Sequence, residues 1–468
     1  MNHASAQAAS RVTDASSADW APESWRSRPA QQLPDYRDET ALRDATTRLR
    51  ALPPLVTSYE IERLKSELAE AEAGKRFVLQ GGDCAELLED CRPDVITNKL
   101  KILLQMSLVL VHGGRKPVVR IGRFAGQYAK PRSRATEARE GVELPSYFGD
   151  LVNRPGFTRE ERSPDPALLL EGYKHAAMTL NFVRSLVDHG FADLHHPEHW
   201  DLSFFEHADL PPGLAEEYRR TSESLSEALR FLESLGEAGI DEITRVQFFT
   251  SHEGLNLEYE SAQTRRVPRR TGWYDLSTHL PWIGERTRSL DGAHVEFFRG
   301  IENPVGVKIG PAADPAEVVE LVRRLNPRRE RGKVALISRM GAGRAAEAFP
   351  PMLEAVAKAD APALWLCDPM HGNTRSTESG VKTRRFDDII EELETVIDAH
   401  ERAGTVLGGV HFELTGEDVT ECVGGGAGVT EADLSTRYRS LCDPRLNYAQ
   451  ALEMAFRLAR RMRRDGGA

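Results

Sequence analysis

The chain has 468 residues, 40% hydrophobic and 28% charged, with a formal net charge of −11. That length exceeds one small domain, and the composition can fill a sizeable core. The acidic balance argues against a nucleic-acid binder, and five cysteines without a CxxC pair argue against a disulfide framework.

Residues 1–20 are rich in Ala and Ser, lack a hydrophobic h-region and set Asp14 and Asp19 against Arg11. They read as a disordered N-terminus and poorly as a transit peptide. No uninterrupted apolar run is long enough to span a bilayer, and the cysteine usage fits a reducing cytoplasm. Residues 21–75 read as an N-terminal extension. From 76 to 468 the chain reads as a catalytic domain.

Eight short apolar runs follow one another: 76–82, 117–123, 246–253, 278–286, 304–311, 333–341, 363–372 and 408–416. Such runs suit parallel strands buried on both faces. Helical patterns lie between most of them. The run 93–114 opens with Pro93 and closes on a glycine pair. Asp314 and Pro315 mark the start of another helix, and Gly404 the end of a third over 386–404. The amphipathic run at 447–464 closes the series with cations in its last turns. Eight strands alternating with helices predict a (β/α)8 TIM barrel of the α/β class. A doubly wound open sheet is the rival, but polar residues follow nearly every strand and do not gather at one crevice. The stretch at about 150–245 exceeds a crossover and reads as a helical insertion after the second strand, with helices near 166–189 and 213–236. Together with residues 21–75 it is a candidate oligomer interface or effector site.

Four residues at or beyond run ends form a mixed ligand set: Cys84, His371, Glu413 and Asp443. A thiolate, an imidazole and two carboxylates suit one borderline divalent ion such as Mn2+, Co2+, Zn2+ or Fe2+. They do not form the closed sulfur-rich set of structural zinc. Singly, each type is ordinarily a core, capping or solvated residue; their shared location at one end of a barrel carries the reading. Arg123, Arg286, Lys308 and Arg339 end other runs. Four cations there would repel one another unless an anion binds between them, and arginine forks suit phosphate and carboxylate. Lys130, Arg132 and Ser133 in KPRS suit a second phosphate, with Lys382 and Arg384 in KTRR nearby, although each cluster taken alone reads as a solvated loop. The basic run at 265–270 and the GGGAG at 424–428 read as loops.

The segments LQGGDCAE, GRFAGQYAKPRS, WIGERTR, NPVGVKIGP, DPMHGNT, KTRRFDD, HFELTGEDVTECVGG and CDPRLNYAQ resemble type II 3-deoxy-D-arabino-heptulosonate 7-phosphate (DAHP) synthases. The resemblance runs from about residue 79 to the C-terminus. It implies condensation of phosphoenolpyruvate with erythrose 4-phosphate to give DAHP and phosphate. That is the first step of the shikimate pathway and of aromatic amino acid biosynthesis. It implies metal ligation by Cys84, His371, Glu413 and Asp443, with Mn2+ expected. It implies phosphoenolpyruvate contacts from Arg123, Glu285, Arg286, Lys308 and Arg339, and erythrose 4-phosphate contacts from Lys130, Arg132, Ser133, Lys382 and Arg384. Catalytic roles are expected for Lys130, Lys308 and His371. A cytoplasmic homodimer or homotetramer and a chorismate mutase partner are further implications. The segments SHEGLNLEYE and LISRMG depart from the family pattern. They raise the alternative of a specialised-metabolism copy using an amino or imino analogue of the aldehyde; a catalytically idle regulatory homologue is a further alternative, against which the intact ligands and cationic ring count. Cys442 precedes the proposed ligand Asp443 and has two readings: an inert buried thiol, or a thiol near Cys84 that oxidation of the metal-free protein would crosslink to it.

Overall fold

The computed structural model describes residues 20–188, 216, 219–224, 226–227 and 247–465. Eight parallel strands close into a barrel in chain order. They are β1 Phe77–Gly82, β2 Val118–Arg123, β3 Phe249–Glu253, β4 Leu280–Ile283, β5 Val305–Ile309, β6 Val334–Ser338, β7 Leu364–Cys367 and β8 Leu407–Glu413. Seven lie wholly inside one of the eight apolar runs, and β8 begins one residue ahead of its run. Because β1 pairs with both β2 and β8, no strand edge is left open.

The helices begin with α1 Glu39–Ala51, α2 Ser58–Glu72, α3 Pro93–Gly114 and α4 Ala167–Asp188. Two short ones, α5 Leu257–Gln263 and α6 Ala293–Phe298, come next. Then follow α7 Pro315–Leu325, α8 Ala342–Lys358, α9 Phe386–Ala403 and α10 Tyr448–Asp465. The capping signals act as the sequence predicts. Asp314 accepts from the backbone N–H groups of Ala316 and Glu317, with Pro315 in the first turn. Gly404 ends α9 in the left-handed region at φ 63°.

The glycine pair of α3 behaves differently. The helix runs through it and stops at Arg115, which takes the left-handed cap itself at φ 49°. Gly113 serves close packing: a Cβ there would stand 2.4 Å from the Ala459 Cβ of α10. By length and hydropathy α3 would qualify to cross a membrane, contrary to the sequence expectation. Yet 67% of its most apolar window is buried inside the protein.

Helix α2 explains part of the extension. Its N-terminus is fixed by a capping box between Thr57 and Glu60. Its buried face, Leu64, Leu68 and Ala71, joins one apolar cluster with inward residues of the strands, among them Val78, Ile121, Leu280, Ile337 and Leu366. Gly332, just before β6, has no room for a Cβ, which would stand 2.2 Å from the Lys65 carbonyl oxygen. Thus α2 closes the N-terminal end of the barrel, and the C-terminal end is left for chemistry.

Of the two helices expected in the insertion, α4 matches the first. The second, at 213–236, falls largely outside the described residues. A hairpin, Thr136–Arg139 paired with Val142–Pro145, stands after β2, where the sequence pattern predicts no strands.

Candidate active site at the C-terminal mouth of the barrel

The strand register assembles the centre of the site. Gly82 pairs with Arg123 on one side and Glu413 on the other. Its φ of 143° requires glycine, and so does the space, since a Cβ there would stand 2.9 Å from the Arg123 carbonyl oxygen. Without a side chain between them, Arg123 Nη2 donates to Glu413 Oε1 over 3.0 Å.

Glu413 is fully buried and collects cations. Lys130 Nζ reaches its Oε1 at 3.3 Å, and Arg384 Nη2 reaches its Oε2 at 2.7 Å. These partners, with His371, hold the carboxyl far below the usual range even though burial alone would raise it. Lys130 Nζ also donates to Cys84 Sγ at 2.8 Å and stands 2.8 Å from Asp443 Oδ2. Three proposed ligands, Cys84, Glu413 and Asp443, thereby place donor atoms within 4.8 Å of one another. His371 joins through Nε2, which is 2.9 Å from Glu413 Oε1.

This donor set fits a divalent ion. The other imidazole nitrogen, Nδ1, lies 2.7 Å from Asp368 Oδ2. A carboxylate there fixes the tautomer and leaves the Nε2 lone pair facing the cluster. Burial lowers the His371 pKa, which favours the neutral ring. A neutral Nε2 and a carboxylate oxygen are both acceptors, and a shared cation relieves their opposition. Burial pushes the Cys84 thiol well up, with Cys442 and Glu413 adding to the effect. Lys130 alone does not offset this rise, and a bound divalent cation would favour the thiolate. Cys84 and Cys442 pack in one buried cluster with Tyr147, so the two thiols of the expected crosslink are neighbours.

Two buried networks hold the ligands in place. Asp83 pairs with Lys99 at 2.6 Å and Arg445 at 2.7 Å, and Arg445 also grips Glu421 at 2.8 Å. This ties the loop carrying Cys84 to the loop carrying Asp443. In the barrel centre Ser251, Gln80, His411 and Arg123 form a chain. Gln80 Nε2 donates to Ser251 Oγ at 3.0 Å, its Oε1 meets His411 Nδ1 at 2.8 Å, and Arg123 Nη1 meets His411 Nε2 at 2.7 Å. Burial and the cations Lys308 and Arg123 keep His411 neutral, so it accepts from Arg123.

Above this floor opens a cavity of about 790 Å3. Arg123, Glu285, Arg286, Lys308, Arg339, His371, Lys130, Arg132, Ser133, Lys382 and Asp443 all line it. The cations are not bare, as the sequence reading assumed. Arg123 is paired with Glu413, and Lys308 with Asp368. The acids sit within the same motifs and offset the repulsion. Among the described residues, Arg286 and Arg339 form no ion pair. Arg339 Nη2 donates to the His371 carbonyl at 3.0 Å, and Arg286 Nη2 to Ser133 Oγ at 2.8 Å. With Arg134 at the exposed rim, these two guanidinium groups are free of acids and left for an anion. Glu285 accepts from the Gly310 N–H at 2.6 Å and from Arg288 at 3.1 Å. Lys382 Nζ donates to Asp443 at 2.9 Å, and Arg132 pairs with Glu137 of the hairpin at 3.2 Å.

Arg384 stands apart from the other expected phosphate contacts. It is fully buried behind Glu413, also bonded to Thr374 and the Pro444 carbonyl, and is not among the cavity-lining residues. Its position is that of a support for Glu413. Sequence reasoning does not single out Asp368, Gln80, His411 or Glu253. For Asp368 a signal exists: it precedes Pro369 and lies three residues before His371 in DPMH.

A closed barrel with a polar C-terminal mouth, a cluster of metal-type ligands and unpaired arginines defines an enzyme site for anionic substrates. Comparison with known proteins narrows the class. The model of the class-II DAHP synthetase family matches residues 20–459. A phospho-2-dehydro-3-deoxyheptonate aldolase of Neurospora crassa is 48% identical, over 97% of this chain and 97% of its own. One from Streptomyces coelicolor is 47% identical over 93% and 96%, and one from Mycolicibacterium smegmatis 42% identical over 93% of each. The chain belongs to the class-II DAHP synthetase family.

Proposed function

We propose that the mouth of this barrel condenses phosphoenolpyruvate with erythrose 4-phosphate to give DAHP and inorganic phosphate, and that it does so with one divalent ion. The observation that carries the metal is the convergence of Cys84, Glu413 and Asp443, with His371 oriented toward them by Asp368. A bound divalent ion supplies Lewis acidity toward an aldehyde oxygen. Mn2+ is the expected ion, and Co2+, Zn2+ and Fe2+ suit the same donors.

The chain's own residues do the rest. Arg286 and Arg339, free of acids, hold the phosphoenolpyruvate phosphate and stabilise the phosphate as it leaves. Arg123 and Lys308 face the same molecule and are kept in register by Glu413 and Asp368. Lys130, Arg132, Ser133 and Lys382 line the same cavity and suit the aldehyde and its phosphate. Lys130 is the protonated group nearest the ligand cluster and can relay a proton to the new alkoxide, while His371, with Nε2 turned to the cluster and Nδ1 to Asp368, serves as a ligand. Arg384 supports Glu413 from behind.

A coupled phosphate-release assay tests this reading. Chelator-treated protein should release no phosphate from the two substrates, and Mn2+ should restore release. Undiminished release after chelation would contradict the metal role. The family resemblance further implies a dimer or tetramer and a chorismate mutase partner, which light scattering of the chain alone and with that enzyme would reveal.

A further inference from the structure

Four carboxyl groups line the cavity: Glu137, Glu253, Glu285 and Asp443. Three of them are engaged. Glu137 pairs with Arg132, Arg139 and Arg162. Glu285 holds Arg288 and the Gly310 N–H. Asp443 holds Lys130 and Lys382. Glu253, the last residue of β3, is the exception. It is only 8% exposed, and its Oε1 is buried without a hydrogen-bond partner among the described residues.

The fold makes room for this acid. A Cβ on Gly284, which follows β4, would stand 2.0 Å from Glu253 Oε1. The Glu253 backbone is pinned as well, its N–H donating to Gln127 Oε1 at 2.8 Å. Trp282 is its register partner on β4. The charged groups that act on it are Lys130, Lys308, Arg123 and Arg286, yet none forms an ion pair with it. A desolvated carboxyl left unpaired beside four cations is costly and has no structural duty. It faces the cations assigned to phosphoenolpyruvate.

We propose that the Glu253 carboxylate is the proton acceptor for the water that adds to the former enol carbon. This rests on reading the Arg286–Arg339 side of the cavity as the phosphoenolpyruvate site. The methylene carbon gives its π electron pair to the aldehyde carbon, and the enol carbon becomes electron-poor. The water oxygen bonds to that carbon while one O–H bond breaks and its proton passes to Glu253. That proton ends on the alkoxide formed from the aldehyde oxygen. The C–O bond to phosphate then breaks, its electron pair leaving with phosphate. The second water proton goes with it as the ketone forms, and Glu253 is again a carboxylate. Burial raises the Glu253 pKa against the four cations, which brings an acid closer to working pH and makes it a better base.

Two variants test this. Glu253→Gln keeps the shape and should lower kcat by about 10²–10⁴-fold, the usual worth of a positioned base, with the KM for phosphoenolpyruvate nearly unchanged. The acidic limb of the kcat–pH profile should vanish with it. Glu253→Ala should regain turnover on addition of formate, a rescue that a purely structural role would not give. Unchanged kcat in Glu253→Gln, a loss confined to KM, or no formate rescue of folded Glu253→Ala would each overturn the proposal. Arg339→Ala separates the two readings. If it leaves the phosphoenolpyruvate KM unchanged, the substrate site is misassigned. If it raises that KM while Glu253→Gln turns over normally, only the role of Glu253 fails.

Discussion

The two ends of this barrel are built from the same eight strands and have opposite chemistry. At the N-terminal end Leu64, Leu68 and Ala71 of α2 are packed without solvent exposure against aliphatic strand residues. At the C-terminal end Glu413, Asp368, Arg123 and Lys130 are buried nearly as deeply, but every one is charged and paired. The apolar end has no requirement beyond volume and shape. The charged end holds buried ions whose desolvation is offset only while each partner stays in place. Stability is therefore concentrated at one end and function at the other.

Substitutions at the two ends should separate these roles. Leu68→Ala at the apolar end should cost about 2–5 kcal/mol of stability, as buried leucine truncations do, and leave kcat and both KM values unchanged at temperatures where the protein stays folded. Denaturant melts beside steady-state kinetics check it. A large kinetic defect would mean that the floor shapes the mouth. Arg339→Ala should do the reverse. Removing a charged hydrogen-bond donor from the phosphate should raise the phosphoenolpyruvate KM by roughly 10–100-fold, or about 1.5–3 kcal/mol, with little change in melting. A normal Michaelis constant would remove Arg339 from the substrate site.

The smallest expected effect is on pH dependence. Burial, opposed by Asp368, lowers the Lys308 pKa to about 8. Because that value is depressed from 10.5, Lys308 loses its positive charge as pH rises through about 8. kcat/KM for phosphoenolpyruvate, which reports the free enzyme, should fall over that window. The limb should be missing from Lys308→Arg, since guanidinium stays charged. A limb of the same position in that variant would assign the titration elsewhere.

Much of this was legible in the sequence, for a physical reason. Parallel strands buried on both faces must be short apolar runs, so all eight barrel strands stand out between helix caps such as Asp314 and Gly404. The ligand candidates stand at run ends, where barrel chemistry sits. What was not legible depends on pairing across the fold. Asp368 gains its meaning from Lys308 and His371, the first of them on another strand. Arg384 has the sequence look of a phosphate contact, and only its burial behind Glu413 shows it as a support. The hairpin at 136–145 is polar and lacks an apolar rhythm; its only signal was Glu140–Gly141, a turn pair with φ of 49° and 80°. Glu253 ends a strand run like any other residue, and its missing partner is visible only in three dimensions.

The central claim is that four side chains far apart in the chain, one at the end of β8 and three on loops, converge on one ion. Titration of metal-stripped protein with Co2+ tests it most directly. One equivalent should saturate the site, with a sulfur-to-cobalt charge-transfer band in the near ultraviolet that is lost in Cys84→Ser. A folded wild-type protein that binds no cobalt tightly, or one whose band persists in Cys84→Ser, would contradict the account.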